Sequence, residues 1–294
     1  MTKPFRPRRS LLFVPAANAR ALEKSVSLAA DALIYDLEDS AGPREKEDAR
    51  ERLATHLRSD GFAGERIVRI NTLDTPWGLD DLRMAAKAGV DAVLLPKVET
   101  VETLRQAAET LTEAGAPDSV KLWAMIETPL GILDVGKLAA AGRDMRVTAL
   151  MVGPYDIALS TGIDPGADRA ELMPWIMQIM VAAKAYGMAV LDGPYANFRD
   201  QEGFAAECAS GRRLGFDGKT LIHPSQIAGA NAAYSPDPAA IAWAERIVET
   251  FAKPDNSDKG VLQIEGRMVE RLHLKQSQKL LAMRDAIADR ETAR

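Results

Sequence analysis

Two acidic residues hold matching places in this chain. Glu127 closes the apolar run Leu122-Trp123-Ala124-Met125-Ile126, and Asp156 follows the run Ala149-Leu150-Met151-Val152-Gly153. They are separated by roughly 30 residues, the length of one strand–helix–strand unit. If both runs are neighbouring parallel strands, both carboxylates emerge on one rim, where paired oxygen ligands suit a hard cation such as Mg²⁺. Arg69 lies on another apolar run, and Asp36, Glu38 and Asp39 follow a fourth. A cation between carboxylates and beside a guanidinium can polarise the oxygens of a 2-oxo acid while the arginine steadies an enolate. That chemistry suits reversible carbon–carbon cleavage of the aldol or Claisen type.

Each of these residues also has a structural reading. Glu127 precedes Thr128-Pro129 and Asp156 follows Pro154, so either could serve the free amides of a helix N-terminus. Arg69 could be an ion-pair partner for Asp36, Glu38 or Asp39. That acidic cluster fits a solvated loop as well as groups that orient metal-bound water. Lys97 reads as a rim charge, and His223, before Pro224, suits backbone shaping as well as ligand contact.

The elements that must position these groups are short apolar runs: Leu11–Val14, Ala32–Tyr35, Arg66–Ile70, Ala92–Leu95, Leu122–Ile126, Ala149–Val152, Ala189–Leu191 and, more weakly, Gly218–Ile222. They lack polar alternation, as strands buried on both faces do. Helical patterns lie between them at Ala19–Ala30, Glu45–Leu57, Thr100–Ala114 and Glu171–Tyr186, the last ending at Gly187. Eight strands alternating with helices predict a (β/α)₈ TIM barrel over residues 1–228, with an open doubly wound sheet as the alternative. Residues 229–294 read as a helical C-terminal extension, with helices over Ala239–Phe251 and Leu272–Arg290. In a barrel, groups following the strands gather on one rim. Asp36, Glu38, Asp39, Arg69, Asn71, Lys97, Glu127, Asp156, Asp192 and His223 all follow or end strands, which favours a site over scattered surface charge.

The totals narrow the class. The chain has 294 residues, 47% hydrophobic and 27% charged, as a globular enzyme does. A net charge of −5 argues against nucleic acid as a bulk partner. Cys208 is the single cysteine, which excludes an intramolecular disulfide and a thiolate metal cluster, and it reads as a buried structural thiol. The basic Met1–Ser10 segment is followed by only a short apolar run, so no signal peptide is expected. No stretch approaches the ~18 apolar residues of a membrane span, and the expected location is cytoplasmic.

An ordered set of segments resembles the citrate lyase beta-subunit-like proteins, which include malyl-CoA and citramalyl-CoA lyases, within the metal-dependent 2-oxo-acid aldolases. The segments are Arg9-Ser10-Leu11-Leu12-Phe13-Val14-Pro15, Tyr35-Asp36-Leu37-Glu38-Asp39-Ser40, Arg69-Ile70-Asn71, Leu95-Pro96-Lys97, Ile126-Glu127-Thr128-Pro129, Asp192-Gly193-Pro194 and the stretch from Gly218 to Ile227. The resemblance implies Glu127 and Asp156 as Mg²⁺ ligands, Arg69 as the group on the substrate's oxo or carboxylate oxygens, and Asp36 and Asp39 around the metal-bound waters. It implies that Lys24, Ile222, His223 and Pro224 line a channel for a CoA thioester substrate. It also implies that amides near Gly153–Asp156 receive the small 2-oxo acid. Similar proteins are trimers or hexamers in which the C-terminal segment of one subunit closes the active site of the next.

One departure concerns proton transfer. The family's tail carries an aspartate in a Gly-x-Met-Ile-Asp-like motif, thought to be a general acid/base; here the stretch is Gly266-Arg267-Met268-Val269-Glu270. The extra methylene of Glu270 displaces the carboxylate by about 1 Å unless the backbone compensates. The expected activity is Mg²⁺-dependent cleavage of a malyl-CoA or citramalyl-CoA type thioester to acetyl-CoA and a 2-oxo acid, with Glu270 of a neighbouring subunit moving the proton. The alternatives are an aldolase on free 4-hydroxy-2-oxo acids, a malyl-CoA thioesterase, and the beta subunit of a larger citrate lyase complex.

Overall fold

The computed structural model describes residues 5–59, 61–166 and 168–292. The first four residues of the basic N-terminal segment lie outside them. The chain divides into two compact units, Arg8–Tyr234 and a second containing Ser235 onward.

The first unit alternates strands and helices. In order these are β1 (Ser10–Pro15), α1 (Ala19–Ser25), β2 (Ala32–Asp36), α2 (Lys46–Ser59), β3 (Glu65–Arg69), α3 (Gly78–Lys87), β4 (Ala92–Leu95) and α4 (Val101–Glu113). They continue with β5 (Lys121–Ile126), α5 (Pro129–Gly142), β6 (Val147–Val152), α6 (Pro154–Thr161), α7 (Met173–Ala185), β7 (Ala189–Asp192), α8 (Gln201–Leu214), β8 (Gly218–Leu221) and α9 (Ile227–Tyr234). All eight strands are parallel neighbours in sequence order, and β1 pairs with β8 through Ser10↔Lys219 and Leu11↔Thr220. That last pairing closes the barrel and excludes the open sheet.

Side-chain alternation then assigns every strand residue to a face. Leu11, Ile34, Ile67, Leu94, Trp123, Met125, Met151 and Leu191 fill the barrel interior. Leu12, Leu33, Val68, Val93, Leu122, Leu150 and Val190 face the helices. Both faces are buried, which is why the strands read as unbroken apolar runs. Asp36, Arg69 and Glu127 have the parity of the interior residues on their own strands, so they cap that core at its rim.

The helices begin where the sequence supplies caps. Thr100 accepts from the amide of Thr103 at the start of α4, and Thr128 accepts from that of Gly131 at the start of α5, with Pro129 as its first residue. Helix α1 ends at Ser25, short of the expected Ala30, because Ser25 and Ser27 turn their hydroxyls back onto the carbonyls of Leu22 and Lys24. Cys208 is fully buried, and burial pushes its thiol up to about 12, far from a reactive thiolate.

The second unit contains α10 (Pro238–Ala252), β9 (Val261–Ile264), β10 (Arg267–Glu270) and α11 (Arg271–Thr292). The expected tail was helical; the structure adds an antiparallel hairpin, Ile264↔Arg267 to Val261↔Glu270. Its turn is Glu265-Gly266, both at positive φ (49° and 77°), as a two-residue hairpin turn requires. Four residues per strand are too few for period-two alternation to stand out. Ile247, Phe251, Ile264 and Val269 form this unit's own small core. Helix α9 lies within the Arg8–Tyr234 unit. Among the described residues no helix is long and apolar enough to cross a membrane.

Candidate active site

The rim site begins with Arg69. Asp36 and Arg69 are register partners at the ends of β2 and β3, which places their side chains side by side. Arg69 donates to Asp36 through Nε at 2.7 Å and Nη2 at 2.8 Å, a two-pronged pair. Nη1 lies 3.0 Å from Glu38 Oε2, outside hydrogen-bond directions, and Nη2 lies 3.1 Å from Asp39. The guanidinium also sits 4.8 Å over the Phe13 ring of β1. Burial opposes its charge, but Asp36, Glu38 and Asp39 outweigh burial and hold its pKa above the ordinary value. Arg69 is therefore the ion-pair partner of all three acids, and it is also the guanidinium at the rim.

Glu38 is presented by a loop that other residues fix. Lys46, buried at the start of α2, donates to the carbonyls of Leu37 and Glu38. Asn71 donates to the Leu37 carbonyl at 3.1 Å and to Asp81 at 2.6 Å, so this rim amide supports the loop rather than facing the site. Lys97 pairs with Glu38 Oε1. Burial raises the Glu38 pKa despite Arg69 and Lys97.

Lys97 joins the two halves of the rim. Its backbone is left-handed, φ 47°, a conformation that costs a residue with a Cβ about 1–2 kcal/mol. This turn aims the Lys97 amide at Glu127 Oε1, 2.9 Å away, and its ammonium at Glu38. Burial opposes the ammonium, but Glu38, Glu127 and Asp39 outweigh it and hold the pKa above its ordinary value.

Glu127 is 1% exposed. Its second oxygen, Oε2, is buried and has no hydrogen-bond partner. Burial first, then the charges of Glu38 and Asp156, push its pKa up to about 7. Its alternative role as a helix cap is filled by Thr128. Gly153 makes room for it: a Cβ there would lie 2.3 Å from Oε2. Gly153 is also the N-cap of α6 and offers no side-chain cap bond, and Asp156, partly buried, occupies that helix's first turn.

The donors suit a hard divalent cation. Four carboxylates (Asp36, Glu38, Asp39 and Glu127) lie around two cations, Arg69 and Lys97, and Asp156 acts on Glu127; two buried carboxylate oxygens lack a hydrogen bond, and of these Glu38 Oε2 still faces Arg69 while Glu127 Oε2 has no partner. Among the described residues no three acidic, histidine or cysteine side chains form a closed metal cage.

The remaining expected residues lie on other elements. Lys24 is exposed in the last turn of α1. After β8, Ile222 is 43% exposed, Pro224 is exposed, and His223 stacks on Phe198 with ring centres 4.4 Å apart. His223 also caps the turn after it, since Nδ1 accepts from the Ser225 amide. Glu270 ends β10 in the other unit, and its amide donates to His273 Nδ1 at 2.9 Å. Asp192 corrects the expectation that it joins the rim. Leu191 points inward, so Asp192 points outward, fully buried between barrel wall and helices against Arg169 and Lys219.

Sequence reasoning missed Lys46 and the partners of Asp192, and it named Gly153 for its amide but not for the room it leaves Glu127. Only Gly153 carried a local signal, a glycine between an apolar strand and Pro154.

Residues 9–224 match the model of the HpcH/HpaI aldolase/citrate lyase family. The chain belongs to that family. It is 42% identical over 96% of both chains to a (3S)-malyl-CoA thioesterase of Cereibacter sphaeroides (strain KD131). It is 35% identical to the citrate lyase subunit beta of Escherichia coli (strain K12), covering 90% of this chain and 89% of the relative. The CitE structure of Mycobacterium tuberculosis in complex with magnesium, acetoacetate and coenzyme A superposes with a TM-score of 0.72 at 29% identity, over 94% of this chain and 97% of the other. A citrate lyase beta subunit from the same organism carries oxaloacetate and magnesium. This family member is thus an enzyme whose structural relatives bind Mg²⁺ and CoA.

Proposed function

We propose that this enzyme cleaves a short 3-hydroxy-3-carboxyacyl-CoA of the malyl-CoA or citramalyl-CoA type into acetyl-CoA and a 2-oxo acid, with Mg²⁺ held by Glu127 and Asp156. The observation that carries this reading is the buried, unpartnered Glu127 Oε2 within reach of Asp156's charge and beside the Arg69–Asp36 pair. The magnesium-bearing relatives support it. The chemistry a bound Mg²⁺ supplies here is polarisation of a carbonyl oxygen.

The protein's own groups do the rest. Arg69, held flat by Asp36, presents a fixed positive edge to the substrate's carboxylate and to the developing enolate. Lys97 holds Glu38 aside by pairing with it. Cleavage passes the substrate hydroxyl proton to solvent water, forms the carbonyl, breaks the carbon–carbon bond and leaves the electron pair on the thioester enolate, which takes a proton at carbon. Glu270, from a neighbouring copy in a trimer or hexamer, is the proposed proton donor. Lys24, Ile222, His223 and Pro224 are proposed to line the CoA channel, and the enzyme is proposed to be cytoplasmic.

A second reading is hydrolysis of the same thioester, favoured by the malyl-CoA thioesterase at 42% identity. One assay separates the two. With malyl-CoA and Mg²⁺, a lyase releases glyoxylate and acetyl-CoA, whereas a thioesterase releases malate and free CoA thiol. Condensation of acetyl-CoA with glyoxylate or pyruvate confirms the first; neither product set appearing overturns both.

A further inference from the structure

Four charged residues outside the rim form a buried quartet between the barrel wall and its helices. Asp192 and Lys219 are register partners on β7 and β8, and both are fully buried. Lys219 Nζ donates to Asp192 Oδ2 at 2.9 Å and to Glu207 Oε1 of α8 at 2.6 Å. Arg169, on the segment between α6 and α7, donates to Asp192 at 2.8 and 3.2 Å and lies 3.2 Å from Glu207. The charges balance, two against two, so no ligand is called for. Burying four charges is costly, and such a cluster is weak as a source of stability alone.

The quartet instead grips one backbone unit. Asp192 Oδ1 accepts the Gly193 amide at 2.9 Å, and Lys219 Nζ donates to the Gly193 carbonyl at 2.6 Å. Gly193 is thereby held at both of its polar groups. It lies against the first residue of α6: a Cβ on Gly193 would meet Pro154 Cδ at 2.2 Å and the Val152 carbonyl at 2.9 Å. Pro154 sits between Gly153, which cradles Glu127, and Asp156. Beyond the other end of α6, Arg169 returns the chain to Asp192 through a left-handed residue, φ 59°.

We propose that Asp192 and Lys219 are positioning residues that hold Gly193 as a seat for the N-terminus of α6, and so set the separation of the Glu127 and Asp156 carboxylates. The proposal rests on the reading of those two carboxylates as the Mg²⁺ ligands. Neither Asp192 nor Lys219 faces the substrate rim. Their effect passes through a glycine and a proline in contact, as outer-shell groups tune a metal site.

The test is calorimetric titration of Mg²⁺ into the full-length protein, with melting temperature measured beside it. Glu127→Gln tests the underlying reading: if it binds Mg²⁺ as the wild type does, the site assignment falls. With that site confirmed, Gly193→Ala leaves all four charges in place but pushes on Pro154, and Asp192→Asn and Lys219→Met loosen the grip on Gly193. Each folded variant is expected to raise the Mg²⁺ dissociation constant by about 10-fold or more. Glu65→Gln breaks the Arg8–Glu65 pair (2.7 Å) at the opposite end of the barrel; it is expected to lower the melting temperature and leave Mg²⁺ affinity unchanged. Any folded member of the first set that binds Mg²⁺ at wild-type affinity overturns the proposal. So does Glu65→Gln weakening binding in step with its melting temperature, since affinity would then only report stability.

Discussion

The amide of Lys97 donates to Glu127 Oε1 while Glu127 Oε2 has no partner. One oxygen of this carboxylate is anchored and the other is left free, at a place where burial and two neighbouring acids already penalise its charge. A group arranged this way costs the metal-free protein stability, and its free oxygen is where the proposed Mg²⁺ would be held.

That cost has a pH signature. The folded pKa of Glu127, about 7, lies above its ordinary value of 4.5. The native state therefore holds this proton more tightly than the unfolded chain. Glu127's contribution to metal-free stability is full below pH 4.5 and is lost as pH rises through about 7. Mg²⁺ binding needs the ionised form, so affinity should increase up to about tenfold per pH unit below 7 and level off above it, with proton release. Glu127→Gln, which cannot ionise, should melt higher than the metal-free wild type at pH 8 and match it near pH 4. Calorimetry in buffers of different ionisation enthalpy counts the protons, and a pH-independent affinity would contradict the assignment.

Arg69→Lys keeps the charge but not the fork. The two-pronged contact with Asp36 becomes a single point contact, and the platform over Phe13 is lost. We expect kcat/KM to fall about 100-fold, equivalent to ~2.7 kcal/mol, with Mg²⁺ affinity changed far less. Steady-state kinetics against the 2-oxo acid in the condensing direction reads this directly.

Lys97 allows backbone strain and side-chain function to be separated. Lys97→Gly removes the ammonium but tolerates φ 47°, whereas Lys97→Ala removes it and keeps the strain. Both should lose activity by a similar factor because Glu38 keeps Arg69 but loses the ammonium that pairs with its Oε1. The glycine variant should be more stable than the alanine variant by about 1 kcal/mol, measured by urea denaturation.

Glu270→Asp restores the carboxylate length found in the resembling lyases. If Glu270 moves the proton, this change alters kcat while leaving Mg²⁺ affinity untouched, and Glu270→Ala lowers kcat further. Deuterium exchange at the α-carbon of acetyl-CoA, followed by NMR, isolates that proton transfer from carbon–carbon bond formation.

Much of the rim was legible because barrel strands buried on both faces read as apolar runs, and whatever polar residue follows each run must emerge at one end. All eight strands lie where those runs do, and Asp36, Arg69 and Glu127 meet for that reason alone. Closure was not legible, since β1 pairing with β8 joins residues about 200 positions apart and leaves no local trace. Nor was the direction of Asp192. One residue of register decides whether a strand-end carboxylate looks into the barrel or out at the helices, and that depends on which neighbours fill each face. The left-handed backbone at Lys97, the loop support from Lys46 and the closeness of Gly153 to Glu127 and of Gly193 to Pro154 likewise show only in three dimensions. The sequence by itself determined the fold class, the family and the chemical types at the rim. The tertiary structure decided which carboxylate is buried with a free oxygen, because burial and partnership are properties of packing rather than of order along the chain.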